Sequence, residues 1–284
     1  MSEVRDKIVV EVEDMTSTDQ PRRVRLHHLQ QAKEDRRPLT MLTAYDALTA
    51  PILEAAGVDM LLVGDSLGNV TLGFDSTLKV TVDDMERAVG AVARSTSRPL
   101  IVADLPFGTY ETGPQAAFET AARLMRAGAH AVKLEGGTER VPAIEMLVAG
   151  GIPVMGHIGY TPQSEHALGG PRLQGRGSEG ERLWADALAL QDAGAFGIVL
   201  EMVPAQLAKE ITKALKVPTI GIGAGPRCDG QVLVWSDMAG MTEWTPSFVR
   251  RFGELGAELQ RAAAEYVGAV RQGSFPGPDN YRVE

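Results

Sequence analysis

Short apolar runs recur along this chain, each closing on a polar tip and each followed by a stretch with helical spacing. Met60-Leu61-Leu62-Val63-Gly64-Asp65-Ser66 sets the pattern. An unbroken apolar run this short suits a strand buried on both faces, as in a parallel sheet covered by helices. The pattern returns in Leu100-Ile101-Val102-Ala103-Asp104 and Ala131-Val132-Lys133-Leu134-Glu135. It returns again in Val154-Met155-Gly156-His157 and Gly197-Ile198-Val199-Leu200-Glu201. Further strands are expected at 39–46, 217–223 and 231–235, which makes eight. Between them the period becomes helical. From Pro114 to Gly128, Ala117, Phe118, Ala121, Leu124 and Met125 line one face, with Pro at the start and Gly at the stop. Asp46 caps an expected helix at 47–56, and Thr81 with Asp84 resembles a capping box opening the next at 82–95. Other helices are expected at 22–33, 138–148, 179–192 and 204–215, with a long amphipathic helix or pair at 246–272. Two long loops, 66–80 and 159–177, follow strands, and residues 1–21 read as a loose, polar N-terminal arm.

Eight alternating units in about 250 residues are what a (β/α)8 barrel, the TIM-barrel form of α/β architecture, requires. Doubly wound sheets also alternate, but usually with fewer strands and a Gly-rich first turn, and Tyr45-Asp46-Ala47 carries no such fingerprint. No linker or shift of composition interrupts the chain, so residues 1–284 are expected to form one domain with a helical N-terminal arm and C-terminal helices.

Composition narrows the partners. The chain has 28 Lys and Arg against 37 Asp and Glu, a formal net charge of −9. An acidic chain without a long basic run argues against nucleic acid, whose binding rests on phosphate neutralisation. It leaves room for an anionic small molecule, because a local Lys or a metal ion reverses the sign within a pocket. One cysteine, Cys228, excludes an intrachain disulfide and suits a reducing cytosol. Residues 1–13 do not read as a secretory signal, and no apolar run approaches a membrane span.

In a barrel the strand tips share one mouth, and the chemistry sits there. Asp65, Asp104 and Glu135 close the second, third and fourth strands and are therefore rim neighbours. Three adjacent carboxylates repel unless a cation joins them, and oxygen-only ligands suit a hard ion such as Mg2+. The alternative is a scatter of surface acids, each paired with a nearby base. Lys133 lies two residues before Glu135, so both point to one side of the strand. It needs an anion, either one of these acids or a substrate carboxylate. Glu201 stands alone on the opposite arc of the rim, where a partly desolvated carboxylate suits general-base work. It could equally be an acid at the start of the helix near Pro204.

Five segments resemble the ketopantoate hydroxymethyltransferase family. They are Leu62-Val63-Gly64-Asp65-Ser66-Leu67-Gly68, Ala103-Asp104-Leu105-Pro106-Phe107, Val132-Lys133-Leu134-Glu135-Gly136-Gly137, Gly156-His157-Ile158-Gly159 with Thr161-Pro162-Gln163-Ser164, and Gly221-Ile222-Gly223-Ala224-Gly225. The likeness covers residues 39–241 in order. It implies a TIM barrel of the phosphoenolpyruvate/pyruvate type with Mg2+ on Asp65 and Asp104, and Glu135 acting directly or through a water. It implies that Ser66 and Lys133 hold the substrate carboxylate and that Glu201 accepts a proton. The implied reaction moves a hydroxymethyl group from 5,10-methylenetetrahydrofolate to 3-methyl-2-oxobutanoate, giving 2-dehydropantoate, the first step of pantothenate biosynthesis. A cytoplasmic homo-oligomer, commonly a decamer, is implied as well, with the apolar residues of 246–270 available for contacts. His157 either bonds the enolate or carboxylate or is a buried structural histidine. The glycines of 221–225 look like a phosphate loop, but a 2-oxo acid carries no phosphate, so they are expected to serve close backbone packing.

Two other readings compete. A lyase or mutase of the related Mg2+-enolate barrels would more often carry a cysteine in a mobile loop by the site, whereas Cys228 falls between the seventh and eighth strands. A metabolite-binding barrel without catalysis would lack one of the acids.

Overall fold

Residues 22–283 are described by a computed structural model. The expected N-terminal arm, residues 1–21, lies outside the described residues. Eight strands pair in parallel and in chain order, and the eighth returns to the first. They are β1 (Leu39–Thr43), β2 (Met60–Val63), β3 (Leu100–Asp104), β4 (Ala131–Glu135), β5 (Val154–Gly159), β6 (Gly197–Glu201), β7 (Thr219–Ile222) and β8 (Gly230–Leu233). The helices before β5 are α1 (Leu26–Glu34), α2 (Thr49–Ala55), α3 (Leu67–Val70), α4 (Val82–Ser95), α5 (Pro114–Ala127) and α6 (Val141–Ala149). Those after it are α7 (Glu165–Leu168), α8 (Glu179–Asp192), α9 (Ala205–Ala214), α10 (Trp235–Met238) and α11 (Leu255–Arg271). This is the expected (β/α)8 barrel.

Strand alternation divides the apolar residues into two cores. Leu39, Met41, Met60, Leu62, Leu100, Val102, Ala131, Met155, Val199, Ile220 and Val232 fill the barrel, and Val24, Leu29 and Ala32 from the α1 region plug its floor. The opposite parity, with Leu61, Ile101, Val132, Val154 and Ile198, packs outward against α4, α5, α6, α8 and α9. Each fully buried Leu or Met contributes roughly 1.5–3 kcal/mol by leaving water. The inward parity continues upward from apolar to charged residues. Leu100 and Val102 lead to Asp104, Ala131 to Lys133 and Glu135, Met155 to His157, and Val199 to Glu201, because alternate side chains share a face. The same periodicity that fills the barrel delivers the rim chemistry.

The floor is closed by two matching brackets. Thr40 donates its N–H and hydroxyl to Asp59 Oδ2 (2.9 and 3.0 Å), and Asp59 N–H returns to Thr40 Oγ1 (3.1 Å). Thr219 and Asp229 repeat this with 2.8, 3.2 and 3.3 Å. Arg37 pairs with Asp59 at 3.1 Å and Lys33 with Asp229 at 2.7 Å.

Several expected boundaries shift. The first strand stops at Thr43 rather than 46, because Asp46 turns the chain by accepting the N–H groups of Leu48 and Thr49 (2.7 and 2.8 Å), so α2 begins at Thr49. The long loops contain α3 and α7, and β8 ends at Leu233, two residues short of the expected 235, with α10 beginning at Trp235. The long amphipathic C-terminal segment is helical only from Leu255. The Thr81–Asp84 capping box forms as expected, with Asp84 N–H to Thr81 Oγ1 at 3.2 Å and Thr81 N–H to Asp84 Oδ2 at 3.1 Å. Of the glycines at 221–225, Gly225 packs so closely that a Cβ would lie 2.5 Å from that of Ala205, consistent with a packing role.

Candidate active site

Six titratable side chains converge at the carboxyl ends of β2 to β6. Asp65, Asp104, Lys133, Glu135 and His157 are buried, and the Glu201 side chain is 16% exposed. Lys133 Nζ sits 2.9 Å from Asp104 Oδ1 and 3.2 Å from His157 Nδ1. His157 Nδ1 is 3.3 Å from Glu135 Oε1, and its Nε2 is 3.2 Å from Glu201 Oε2. Asp65 N–H donates to Asp104 Oδ2 at 3.1 Å. Asp65 lies two residues beyond β2, whereas Asp104, Glu135 and Glu201 end their strands.

The expectation that Glu201 stands alone on the opposite arc is corrected. β6 pairs directly with β5, Gly159 opposite Glu201, and His157 bridges Glu135 to Glu201. Two backbone devices hold this junction. At Gly159 (φ +99°) a Cβ would lie 2.2 Å from the Glu201 carbonyl oxygen, so only glycine allows the approach. Met202, directly after Glu201, takes a left-handed φ of +48°, a strain of order 1–3 kcal/mol that recurs where a site fixes its backbone.

Electrostatics follow from burial and crowding. Burial raises the Asp65 carboxyl well above its usual range, reinforced by the charges of Asp104 and Glu135. Burial also raises Asp104, although Lys133 opposes it. Glu135 is held low: burial resists its charge, but His157 and Lys133 outweigh that. Burial and Lys133 push His157 down, yet Glu135 and Glu201 carry it up to about 9, so it is an imidazolium at neutral pH. Lys133 stays charged because the surrounding carboxylates overcome its burial. Four carboxylates thus face two cations, which leaves two negative charges uncompensated when all are ionised. Removing ions from water costs several kcal/mol each unless partners compensate.

A divalent cation fits that imbalance. Asp104 Oδ1 is buried and, although Lys133 is near, accepts no aligned hydrogen bond among the described residues. Among the described residues no three His, Cys, Asp or Glu side chains are arranged to enclose a metal by themselves. Mg2+ does not require that, since it commonly keeps waters and takes one or two protein carboxylates plus substrate oxygens. Both oxygens of Glu135 are engaged, Oε2 by the Gln163 N–H at 3.0 Å and Oε1 beside His157, which suits a water-mediated role better than direct ligation.

Ser66 Oγ shares a 2.9 Å hydrogen bond with Tyr45. Burial, despite that bond, pushes the Tyr45 phenol far up, so it remains a neutral donor. The structure adds two residues to the site that carried no role in the sequence reading. Gln163 donates from Nε2 to Asp65 Oδ2 (2.8 Å) and to the Leu105 carbonyl (2.9 Å), and Tyr110 OH donates to Gln163 Oε1 (2.5 Å). The available signal was the polar Thr161-Pro162-Gln163-Ser164 immediately past β5; Tyr110 offered none. A cavity of about 360 Å³ adjoins Glu135 between Gly159, Thr161, Arg140 and Asp186. A cavity of about 620 Å³ near Trp184 and Leu207 is roomier, but none of the six rim groups lines it.

Fold and site together define a parallel (β/α)8 barrel with a buried, acid-rich mouth. Solved structures share the barrel: 2,3-dimethylmalate lyase, a PEP mutase/isocitrate lyase superfamily member, aligns with TM-score 0.59 and 20% identity over 89% of this chain and 86% of that one. Phosphonopyruvate hydrolase in complex with oxalate and Mg++ aligns with TM-score 0.58 and 15% identity over 90% and 92%. At such identities the likeness concerns the fold alone.

Sequence relationships go further. The family model described as ketopantoate hydroxymethyltransferase matches residues 23–278. The 3-methyl-2-oxobutanoate hydroxymethyltransferase of Saccharopolyspora erythraea is 55% identical over 93% of this chain and 91% of its own. That of Pyrobaculum calidifontis is 54% identical over 92% and 98%. The chain belongs to the ketopantoate hydroxymethyltransferase family and is a transferase enzyme.

Proposed function

We propose that this enzyme transfers the one-carbon unit of 5,10-methylenetetrahydrofolate to 3-methyl-2-oxobutanoate, giving 2-dehydropantoate at the start of pantothenate biosynthesis. The observation that carries the reading is the continuous contact chain Asp104–Lys133–His157–Glu201, with Asp65 and Glu135 beside it. Asp65 and Asp104 would hold Mg2+, with Glu135 acting through a water. The ion would supply positive charge against the keto and carboxylate oxygens, which acidifies the adjacent C–H.

The chain's own groups perform the remaining work. Lys133 and Ser66 bind the substrate carboxylate, Lys133 with a charge that its acidic neighbours lock in place. Glu201 is the less buried carboxylate, and its Oε2 faces the His157 imidazolium. Its other oxygen is the one to take the proton from C3 of the substrate. His157 orients Glu201 and holds compensating charge between Glu201 and Glu135. Water adds to the folate methylene carbon and both of its C–N bonds break, releasing tetrahydrofolate and a formaldehyde unit; the C3 carbanion forms the carbon–carbon bond to that carbon, and its oxygen takes the proton held by Glu201.

The reading extends to a cytoplasmic homo-oligomer, with a decamer as the form. In support, no residue of α11 is buried, and Leu255, Leu259, Tyr266, Val267 and Val270 are exposed along it. No helix among the described residues is long and apolar enough to cross a membrane. The test incubates the protein with 3-methyl-2-oxobutanoate in D2O, with and without Mg2+ and without folate. Mg2+-dependent deuterium wash-in at C3, followed by 2-dehydropantoate once 5,10-methylenetetrahydrofolate is added, is expected. Absence of both would overturn the reading.

A further inference from the structure

We infer that Gln163 is a positioning residue that aims Asp65 at its cation, and that Tyr110 steadies the Gln163 amide by donating to its oxygen. This rests on the reading of Asp65 as a Mg2+ ligand. One residue here ties four strand ends together. Gln163, in the loop after β5, reaches Asp65 beyond β2 through Nε2 at 2.8 Å and the Leu105 carbonyl beyond β3 at 2.9 Å. Its backbone N–H donates to Glu135 Oε2 at the end of β4 at 3.0 Å.

The proton arrangement in this network has a single solution. Glu135 N–H can only donate, so the Tyr110 oxygen accepts it at 3.3 Å. The Tyr110 proton is then free for Gln163 Oε1 at 2.5 Å. The Leu105 carbonyl and the Asp65 carboxylate can only accept, so both Nε2 hydrogens turn toward them and Oε1 is left facing Tyr110. A phenol can donate or accept, so Tyr110 does not choose the amide orientation; by donating to Oε1 it holds the amide in the orientation that the two acceptors assign. Tyr110 is 2% exposed, and Arg140 caps its ring from 5.3 Å while donating from Nε to the Glu135 carbonyl at 3.1 Å. Every polar atom of the Gln163 amide is engaged, so it acts on the reaction through Asp65 rather than by touching substrate. Among the described residues no hydrogen bond reaches Asp65 Oδ1, and the Gln163 contact at Oδ2 leaves that oxygen to face the cation. A residue that orients a metal ligand without binding the metal typically governs metal affinity 10–100-fold.

The test measures Mg2+ binding by calorimetry on the full-length protein without folate, for the parent, Gln163→Met and Tyr110→Phe. Met keeps the length of Gln and removes its polar atoms; Phe removes a single oxygen. The expected result is a Mg2+ Kd raised about 10–100-fold in Gln163→Met and by a smaller factor in Tyr110→Phe. At saturating Mg2+, kcat and the KM for 3-methyl-2-oxobutanoate should return to within about threefold of the parent, a split that general loss of structure would not give. If Gln163→Met does not fold, Tyr110→Phe decides alone. Variants that bind Mg2+ as the parent does would overturn the positioning role while leaving Asp65 as a ligand. A parent that binds no Mg2+ would overturn both.

Discussion

Both ends of the barrel carry buried or half-buried aspartates beside strands, and they do opposite things. At the floor, Asp59 and Asp229 each accept a threonine N–H and hydroxyl, return their own N–H, and face a single cation, Arg37 or Lys33. At the rim, Asp65 and Asp104 share a crowded pocket with Glu135 and Glu201, and burial with mutual repulsion raises Asp65. The residue type is the same and the relation to a strand is similar. What differs is the company: each floor carboxylate has its own cation and a threonine bracket, whereas the rim acids crowd against other carboxylates in a buried pocket. A carboxylate matched to its own cation and donors stabilises the fold, whereas buried carboxylates crowded by like charge mark a candidate ligand site.

The largest expected effect lies at the rim. Glu201→Gln keeps shape but cannot accept the C3 proton, so wash-in of deuterium should fall by roughly a hundredfold or more, while Mg2+ and substrate still bind. Exchange at the parental rate, read by NMR, would remove Glu201 as the base.

The next effect tests the contrast directly. Asp65→Asn removes repulsion from Asp104 and Glu135, so the Mg2+-free protein should melt no lower than the parent while Mg2+ binding is lost. Asp229→Ala should do the reverse. It leaves Lys33 without a counter-charge, with only the Thr212 carbonyl to donate to, and strands the Thr219 N–H, so it should cost roughly 2–4 kcal/mol in urea unfolding with Mg2+ affinity intact. If both variants lose stability alike, the distinction between the two ends fails.

A smaller effect concerns pH. His157 titrates at about 9 in the folded protein, raised from 6.5 as Glu135 and Glu201 outweigh its burial and Lys133. A raised pKa means stability that is fully present below about pH 6.5 and is lost as pH climbs through about 9. Melting temperature of the Mg2+-free protein should therefore decline across that window, and His157→Asn should flatten the decline. An unchanged slope in the variant would assign the decline to other groups.

The smallest effect shows that position near the rim does not by itself confer function. Asp84, at the start of α4, is held below the usual carboxylate range first by the Thr81 hydroxyl and then by the Thr81 N–H. Asp84→Ala should cost only about 1 kcal/mol in thermal or urea unfolding and leave turnover unchanged. A clear loss of turnover would mean that capping, too, reaches the site.

The linear chain itself determined the eight alternating units, the inward parity of Lys133 and Glu135, the acids at strand tips and the capping box at Thr81, because each depends on spacing within a few residues. Asp65, Asp104, Lys133, Glu135, His157 and Glu201 were all legible as candidates for this reason. Tertiary structure alone decided their connections. His157 links Glu135 to Glu201 because β5 and β6 pair in a register that Gly159 permits. Gln163 meets Asp65 across 98 positions of sequence, and Tyr110 meets Gln163 across 53. Periodicity specifies which way a side chain points from its own strand, but not which loop side chain arrives to meet it. That depends on the register and closure of the barrel and on the path of the loops above it, which are settled only when the whole chain packs.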